Sequence, residues 1–395
     1  MLDYSIIIVN FNGSKYFQTL FSSLETMDKK GNSYEIIVVD NASRDDSVFI
    51  LKNIYATRFD QFNIICCTRN LGFAEGNNRG AQVAKGKFLI FLNNDTAVDR
   101  GWLHSIDVIA RREDCLVTPK LVFFNEFIQI EDQLLGILND TAIINGKTWS
   151  IDKRFLVNVE ETNGRLLCTP QSQIRIPLLD GRNVPYVIEI SINGHSKIYQ
   201  YTIDTLQMKT FSIIQNAGSQ INDSFAGEDI GFGRKDGIEF NYERTLNLAC
   251  GASLCIRKDT FFRLGKFNKR FFMYYEDSDL SRTATEAGIP IIYCPDAVVR
   301  HFHMGSSSEN PTVTFYIIRN RLLFLTRHYP IYVVIQEFGK DIQKSFRYIL
   351  QIIIGRGSSR KRAHIAAVLS ATAIAPFYFF SRYFRAQKSI KGIQL

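Results

Sequence analysis

The chain has 395 residues, of which 46% are hydrophobic and 22% charged, and this composition predicts a globular protein of two or three domains. Its 47 lysines and arginines outnumber 39 acidic residues, and the net charge of +8 suits phosphate-bearing ligands or an anionic membrane surface. No zinc-finger spacing, basic zipper or aromatic RNA-binding signature accompanies this charge, so nucleic acid is not a predicted partner.

Four short apolar runs near the start of the chain predict buried strands. They cover Ser5–Asn10, Glu35–Asp40, Phe62–Cys67 and Lys87–Leu92. Helical patterns lie between these runs, for example over Lys15–Lys30 and Asp45–Tyr55. Strand–helix alternation predicts an open, mostly parallel α/β sheet with flanking helices. Such a sheet binds its ligands beyond the carboxyl ends of its strands.

Polar side chains at those strand ends are the candidate ligand contacts. Asp95 follows the fourth strand and is placed to bind a divalent cation, Mg²⁺ or Mn²⁺, together with phosphate oxygens. The alternative is a turn in which Asn93, Asn94 and Asp95 cap the next helix. Asp40 ends the second strand, where it accepts from a nucleobase N–H or a ribose hydroxyl, or else caps a helix. Phe11 ends the first strand and either stacks on a base or belongs to the core.

The segment Thr68–Gly80 contains three glycines spaced G-x3-G-x3-G. This spacing differs from the dinucleotide fingerprint G-x-G-x-x-G, which argues against a nicotinamide-dependent enzyme. Backbone amides and asparagine side chains of this segment, including Asn70 and Asn77, are candidates for lining a diphosphate or ribose site.

Changes in the pattern of apolar and polar residues divide the chain into four parts. Residues 1–120 and 211–328 share the α/β pattern. Residues 121–210, between them, consist of short strand-like runs and turns, which predicts an inserted β-rich domain. Residues 329–395 alternate apolar and basic stretches and predict a basic amphipathic helical tail.

The tail has two interpretations. Its apolar stretch Ala363–Phe380 contains His364 and Pro376, among other interruptions, and is a poor candidate for a membrane-spanning helix. Basic flanks around aromatic and aliphatic faces favour a helix lying on an anionic membrane surface. Helices packed on the catalytic body are the alternative.

Cysteine usage and the first residues indicate a cytoplasmic location. The seven cysteines are odd in number and include no C-x-x-C pair, which is typical of free thiols in a reducing compartment. The N-terminal residues have neither the basic start nor the long apolar run of a signal peptide.

Three acids follow an aromatic run in Met273–Arg282, MYYEDSDLSR. In one interpretation they begin a helix that Gly288 closes, with Asp277 as the N-cap. That interpretation leaves the aromatic wall unexplained. Aromatic surroundings exclude water and raise the pKa of a carboxyl group, as a general base requires. Glu276 and Asp277 are therefore candidate catalytic residues.

The segment Val298–Ser307 carries His301 and His303, which face the same side if the segment is a strand. Beside the carboxylate of Asp95, one imidazole would complete a metal shell, and His301 is favoured over His303. A structural role is the alternative.

In chain order, seven segments together resemble family-two glycosyltransferases of the GT-A fold, and above all the rhamnosyltransferase-like branch that builds bacterial surface polysaccharides. The segments are SIIIVNFNG, EIIVVDNAS, NLGFAEGNNRG, FLNNDT, ACGASLCIRKD, GKFNKRFFMYYEDSDLSR and VVRHFHMGSS. The resemblance covers about residues 4–120 and 211–328. It does not extend to the β insertion, and it matches the tail only in character.

The resemblance implies an inverting, metal-dependent transfer of a sugar from dTDP-rhamnose or a UDP-sugar to a glycan or lipid-linked glycan acceptor. The enzyme would work at the cytoplasmic face of the cell membrane. The implied roles are nucleotide binding by Phe11, Asp40, Asn70, Asn77 and Asn94, metal binding by Asp95 and His301, a sugar or acceptor pocket at Gly251, Ala252 and Tyr275, and catalysis by Asp277 as base with Glu276 beside it. The family's metal motif often begins with Asp, where this chain has Asn93.

Two other functions stay open. A catalytically silent glycan- or membrane-binding protein on the same fold is the main alternative, because Asn93 and the large insertion depart from the family pattern. A nucleotidyltransferase is less favoured, since no Gly-rich basic loop follows the first strand. The sequence does not indicate whether the protein forms an oligomer.

Overall fold

The computed structural model describes residues 2–131, 134–302 and 310–390, with side chains described as far as residue 379. The strands are β1 Leu2–Asn10, β2 Tyr34–Asp40, β3 Phe62–Cys66, β4 Gly86–Asn93, β5 Thr96–Val98, β6 Leu116–Phe123, β7 Phe127–Ile130, β8 Gly136–Ile144, β9 Lys147–Ser150, β10 Leu156–Thr162, β11 Arg165–Pro177, β12 Tyr186–Ile192, β13 His195–Tyr201, β14 Ile214–Asn216, β15 Ser219–Ile221, β16 Gly227–Asp229, β17 Arg244–Leu246, β18 Ser253–Arg257 and β19 Ile291–His301. The helices are α1 Phe17–Thr26, α2 Ser47–Ile50, α3 Gly72–Val83, α4 Trp102–Arg112, α5 Ile203–Lys209, α6 Lys258–Arg263, α7 Glu276–Glu286, α8 Pro311–His328, α9 Ile331–Ile353 and α10 Ser359–Ile390.

The larger sheet forms the body of the protein. Its strand order is β17-β19-β6-β18-β4-β1-β2-β3, with β14 joined to β6 and β5 joined to β19. Strands β4, β1, β2 and β3 are parallel, as are β6 and β19, while β18 runs antiparallel between β4 and β6. The predicted α/β sheet is confirmed, and the carboxyl ends of its parallel strands lie along one edge.

Helices cover both faces of this sheet. On one face, Phe17 of α1 and Trp102 of α4 are fully buried against the strands. On the other face, α3 approaches β1 closely because glycines recur at every helical turn. A β-carbon on Gly80 would lie 2.4 Å from Ile7 Cγ2, inside any normal contact distance. The G-x3-G-x3-G spacing is therefore explained in part by helix–sheet packing.

The insertion forms a second, antiparallel sheet with the order β10-β11-β8-β12-β13, to which β7 and β9 are joined at β11 and β8. It has its own core, which includes Ile174, Tyr186 and Ile188. The predicted β-rich insertion is confirmed. Helix α5 packs Leu206 into the same core, and it escaped prediction because two turns are too short for a clear helical period.

Helices α8, α9 and α10 complete the fold. Helix α10 lies along α8 and buries Val368, Ala371 and Tyr378 against it and against the loop that precedes α7. The apolar stretch that begins at Ala363 thus packs on the catalytic body through one of its faces. Within the described residues, no helix combines the length and apolar character needed to cross a bilayer. The division of the chain into four domains remains a prediction.

Candidate active site

A cleft of about 400 Å³ lies where the ends of β4 and β19 meet the loop before α7. Segments distant in the sequence form its walls. Its lining residues are Phe73, Asn93, Asp95, Gln215, Asp229, Cys250, Gly251, Ala252, Met273, Tyr274, Tyr275, Glu276, Asp277 and His301. The residues predicted for catalysis, for metal binding and for the sugar pocket all line this cleft. The five predicted nucleotide contacts belong to the described residues and are not part of its lining.

Asp95 and His301 face each other in this cleft. His301 Nε2 lies 3.0 Å from Asp95 Oδ1, and His301 Nδ1 lies 2.9 Å from Gln215 Oε1 on β14. When the Nδ1 hydrogen is donated to Gln215, the Nε2 lone pair points at the carboxylate. Two acceptors at that distance require a proton or a cation between them.

The chemistry of this pair fits a divalent cation. A carboxylate oxygen and a neutral imidazole nitrogen are both ligands of first-row metals, and a hydrogen bond to the far ring nitrogen orients a ligating histidine. Over the ranges that the structure describes, no group of three or more His, Cys, Asp or Glu side chains is arranged to hold a metal. Phosphate oxygens and water are other ligands that such a cation accepts. His303 lies outside the described residues.

Asp277 is the second residue of α7, and its carboxylate points to the entrance of β18. Its Oδ2 accepts from the Gly251 backbone N–H at 2.8 Å, and its Oδ1 accepts from the Ser278 N–H at 2.7 Å. The N-cap position belongs to Tyr275, which makes no capping side-chain hydrogen bond, so the interpretation of Asp277 as the N-cap is wrong. Burial raises the pKa of Asp277, and the hydrogen bonds from Gly251 and Ser278 oppose that rise.

Glycine at position 251 makes room for this carboxylate. A β-carbon there would lie 3.1 Å from Asp277 Oδ2. The close approach predicted for Gly251 is thus seen toward a side chain of the protein. Whether the donor sugar uses the same space remains a prediction, as it does for Ala252.

Glu276, the first residue of α7, is buried, and its Oε2 has no hydrogen-bond partner among the described residues. Burial raises the pKa of Glu276 well above its ordinary value, and the negative charge of Asp277 raises it further. A buried polar atom without a partner costs about 1–3 kcal/mol. Because this oxygen belongs to a cleft-lining residue, it is positioned to pair with a hydroxyl group of a ligand.

The loop before α7 has a strained backbone. Phe272, Tyr274 and Tyr275 have φ angles of 65°, 66° and 69°, in the left-handed region that costs a non-glycine residue about 1–2 kcal/mol. Strain of this kind persists only where surrounding contacts impose it, and it is commonly found at functional sites. It brings the first turn of α7, with both candidate catalytic acids, into the cleft.

Two neighbouring side chains of α8 hold this loop. Asn320 is fully buried, and its Nδ2 lies 2.8 Å from the backbone oxygens of Phe271, Met273 and Tyr274. Arg319 donates to the carbonyls of Arg270 and Phe271 at 2.6 and 3.0 Å. The sequence analysis missed both residues, since no motif connects α8 to a loop almost fifty positions earlier.

Asp229 is a further acid in the cleft that the sequence analysis missed. It ends β16, and its Oδ1 accepts from Asn216 Nδ2 at 2.6 Å and from Ser219 Oγ at 3.1 Å. The strands around it have three residues each, so no periodic pattern marks this position. Gln215 was missed for the same reason.

The predicted nucleotide residues at the strand ends form a network beside the cleft. Asp40 is buried and accepts from Asn10 Nδ2 and from the Ser43 N–H, each at 3.0 Å. Asn94 Nδ2 donates to Asn10 Oδ1 at 2.8 Å. The network ties the ends of β1, β2 and β4 together. Phe11 is 47% exposed next to it, so part of its ring is accessible to a ligand.

Asn70 and Asn77 have local partners. Asn70 Oδ1 accepts from the Gly72 N–H at 2.8 Å, just before α3. Asn77 donates through Nδ2 to the Phe73 carbonyl at 3.0 Å, and its buried Oδ1 has no hydrogen-bond partner in the described part of the chain. These contacts shape the start of α3. The role of both residues in nucleotide binding remains a prediction.

A mixed α/β sheet with a polar cleft at the ends of its parallel strands is the architecture of the GT-A class, and the residues 5–158 match the sequence profile described as Glycosyl transferase family 2. This part of the chain, which is less than half of the 395 residues, is thus similar to that family. An N-acetylglucosaminyl-diphospho-decaprenol L-rhamnosyltransferase of Mycobacterium tuberculosis is 36% identical over 69 residues, which is 18% of this chain and 22% of that protein. The poly(ribitol-phosphate) β-N-acetylglucosaminyltransferase TarS of Staphylococcus aureus is 26% identical over 100 residues, or 25% of this chain and 17% of TarS.

Among solved structures, GalNAc-T7 with UDP, GalNAc and Mn²⁺ superposes with a TM-score of 0.51. The sequence identity is 15%, and the match covers 83% of this chain and 48% of that one. This similarity supports the fold alone. The chain therefore matches about a fifth of the length of its curated relatives and about half of this solved structure.

Proposed function

We propose that this protein is a metal-dependent, inverting glycosyltransferase that moves a sugar from a nucleotide-diphosphate donor to a hydroxyl group. The observation that carries the proposal is the position of Asp277, whose carboxylate is fixed in the same cleft as the Asp95–His301 pair. Direct displacement at a glycosyl carbon needs a base for the incoming hydroxyl and stabilisation of the departing diphosphate. The cleft contains candidates for both.

Bound at Asp95 and His301, a divalent cation would stabilise the negative charge that develops on the diphosphate. Asp277 takes the proton of the acceptor hydroxyl as that oxygen bonds to the anomeric carbon. The bond from this carbon to the diphosphate breaks on the opposite face, so the configuration inverts. Its raised pKa makes Asp277 a stronger base than an exposed carboxylate. Glu276 accepts a hydrogen bond from a sugar hydroxyl.

The donor nucleotide binds beside the cleft, at the ends of β1, β2 and β4. Phe11 stacks on the base, Asp40 accepts from its N–H, and Asn70, Asn77 and Asn94 contact ribose or diphosphate. The exposed ring of Phe11 and the unpaired Oδ1 of Asn77 support this arrangement.

The proposed donor is dTDP-rhamnose or a UDP-sugar, and the proposed acceptor is a glycan or lipid-linked glycan used in surface polysaccharide synthesis. Two similar proteins support this choice, since one is a rhamnosyltransferase of a decaprenol-linked sugar and another modifies a poly(ribitol-phosphate). We also propose a peripheral position on the cytoplasmic face of the membrane, where such acceptors are presented.

Calorimetry with UDP, dTDP and GDP, each with and without Mn²⁺, tests the donor class. We expect one pyrimidine diphosphate to bind only with Mn²⁺, and Asp95→Ala to abolish that binding. Asp204→Ala is the matched control, because Asp204 is an exposed acid on α5 in the insertion. If none of the three nucleotides bound with metal present, the proposal would fail.

The alternative is a catalytically silent glycan- or membrane-binding protein. Asn93, which lines the cleft beside the Asp95–His301 pair, is the observation that favours it, since an amide adds no charge to a metal site. Release of nucleotide from a sugar donor distinguishes the two functions. A protein that binds nucleotide with metal but never releases it from any sugar donor would support the silent function.

A further inference from the structure

The positive charge of this chain is concentrated at its C-terminal end. Residues 342–395 contain ten lysines and arginines and no aspartate or glutamate. The preceding 341 residues hold the other 37 basic residues together with all 39 acidic ones. The catalytic body is thus close to neutral, and the last 54 residues account for the net charge.

Helix α9, Ile331–Ile353, has an inverted arrangement of polar and apolar faces. Its buried face carries Val333 and Val334 near the start of the helix and Glu337, Asp341 and Ser345 further along. Arg321 of α8 holds this face by donating to Glu337 Oε2 at 2.7 Å and to Asp341 Oδ2 at 2.6 Å. Helix α9 is therefore attached to α8 by apolar contacts with Leu325 at its start and by buried ion pairs further along.

The opposite face of α9 is apolar and open to solvent. Six large side chains on it are 63–73% exposed, namely Tyr332, Ile335, Phe346, Leu350, Ile353 and Ile354. Successive helical residues are about 100° apart, which places these six within an arc of about 100° on the side away from Glu337 and Asp341. We call these six residues the outer stripe. Gln336, Gly339 and Gln343 are exposed in the same arc, so the stripe has one apolar group at each end of the helix. Large apolar side chains grouped in this way on the surface of a folded protein mark an interaction site.

Basic side chains border the outer stripe. Arg347 is exposed on α9 at the edge of the stripe, and Lys344 is exposed further round the helix. Arg356 and Arg362 are exposed at the turn into α10 and in its first turn. A helix with an apolar face and a Lys/Arg-rich border is the signature of an element that lies in the headgroup region of an anionic membrane.

We propose that α9 lies in the surface of an anionic lipid bilayer, with the outer stripe inserted between headgroups and Arg347, Arg356 and Arg362 facing the anionic lipids. Charge complementarity decides between this partner and a second copy of the chain. Two copies joined through α9 would bring the basic border of one copy against that of the other, and the sequence has no acidic residue after Asp341 to balance it. This inference does not depend on sugar transfer, because it rests on residues outside the cleft.

Vesicle flotation with the full-length chain tests the proposal. The vesicles are pure phosphatidylcholine, or phosphatidylcholine with about 30% phosphatidylglycerol. We expect flotation with the anionic vesicles and loss of flotation at high salt, because screening weakens the headgroup attraction. Phe346→Ser/Leu350→Ser should weaken binding about 100-fold by removing apolar insertion. The charge variant Lys344→Gln/Arg347→Gln/Arg362→Gln should weaken it by a similar factor.

A matched control is available, since Met208 and Ile238 are exposed apolar residues outside the tail, at 79% and 86%. Met208→Ser/Ile238→Ser should bind vesicles like the wild type. If the wild type does not bind anionic vesicles, or if the outer-stripe variant binds them as tightly as the control does, the proposal is overturned. The proposal would also be overturned, in favour of a second copy, if the protein bound no vesicles and sedimentation showed a wild-type dimer that the outer-stripe substitutions dissociate.

The same samples separate this proposal from the proposed enzyme function. Calorimetric nucleotide binding should be the same in the outer-stripe variant and the wild type, and melting temperatures report whether each variant is folded. A chain that floats but binds no nucleotide would contradict only the glycosyltransferase. A chain that binds nucleotide but does not float would contradict only membrane docking.

Discussion

Replacing Asn320 with alanine tests whether α8 positions the active-site loop. The Nδ2 group of Asn320 is the buried donor that faces three backbone carbonyls of this loop at 2.8 Å. Alanine removes the donor without adding bulk. The variant therefore asks whether the left-handed conformation of Phe272, Tyr274 and Tyr275 persists without it.

The expected change in the free energy of unfolding follows from two opposing contributions. Buried carbonyls that lose their donor cost about 1–3 kcal/mol. The three left-handed residues hold about 1–2 kcal/mol each, and relaxation of the loop releases that strain. Release of strain limits the loss of stability, so we expect the free energy of unfolding to fall by no more than about 3 kcal/mol. The relaxed loop no longer places Asp277, and a displacement of about 1 Å can lower the rate about 100-fold.

The assay combines three measurements on Asn320→Ala: thermal unfolding, calorimetric nucleotide affinity with Mn²⁺, and kcat from nucleotide release. A positioning role predicts a folded protein with nearly unchanged nucleotide affinity and a kcat about 100-fold lower. The control is Asn53→Ala, an exposed asparagine that donates to the Phe49 carbonyl one turn earlier. A kcat of Asn320→Ala within twofold of the wild type would refute the reasoning about loop strain.

Three further predictions concern the acids of α7 and two glycines. Asp277→Asn should lower kcat by about 10²–10⁴ while nucleotide affinity is retained, since only the base is lost; near-normal turnover would remove Asp277 from the mechanism. The folded protein raises the pKa of Glu276 above about 4.5 and so binds more protons there than the unfolded chain. The stability that this group contributes is lost as the pH rises above 4.5. Glu276→Gln should therefore raise the melting temperature more at pH 8 than at pH 4. A difference in melting temperature between variant and wild type that does not change with pH would contradict this. Gly80→Ala should lower the melting temperature, because the added β-carbon would clash with Ile7. Gly339→Ala should raise the melting temperature, because Gly339 has open space around it in α9 and the substitution removes about 1 kcal/mol of helix penalty. Equal shifts in the two variants would contradict the packing argument.

Strands β1, β2 and β4 of the larger sheet were predictable because they are buried on both faces. The runs at Ser5–Asn10 and Glu35–Asp40 lie within β1 and β2, and the structure extends each by a few residues at most. Such runs need no knowledge of their partners to be recognised. Helix α9 is the opposite case, because its apolar side faces outward and its acids face inward, and only the contact of Glu337 with Arg321 on α8 reveals this.

In the candidate site, too, local sequence reveals some residues and does not reveal others. Asp95 and Asp277 could be proposed from local sequence, one directly after an apolar strand and the other after an aromatic wall. Gln215 could not, because it matters only through His301, 86 positions away. Asn320 acts across 46 to 49 positions on backbone atoms, which carry no sequence signal at all. Residues that bind a ligand leave local patterns more often than residues that orient other residues.

Helix α8 connects the two inferences drawn from this structure. Arg319 and Asn320 hold the loop that leads into Asp277, and Arg321, the next residue, holds α9 through Glu337. Neighbouring residues of a helix point in directions about 100° apart, so one rigid segment reaches both the active-site loop and the helix with the exposed apolar face. If α9 lies on a bilayer, the cleft is held at a fixed height and orientation above that bilayer. A hydroxyl acceptor attached to a membrane lipid would then meet Asp277 without a search in three dimensions, and the bonds from Arg321 to Glu337 and Asp341 would keep the exposed face of α9 toward the lipids.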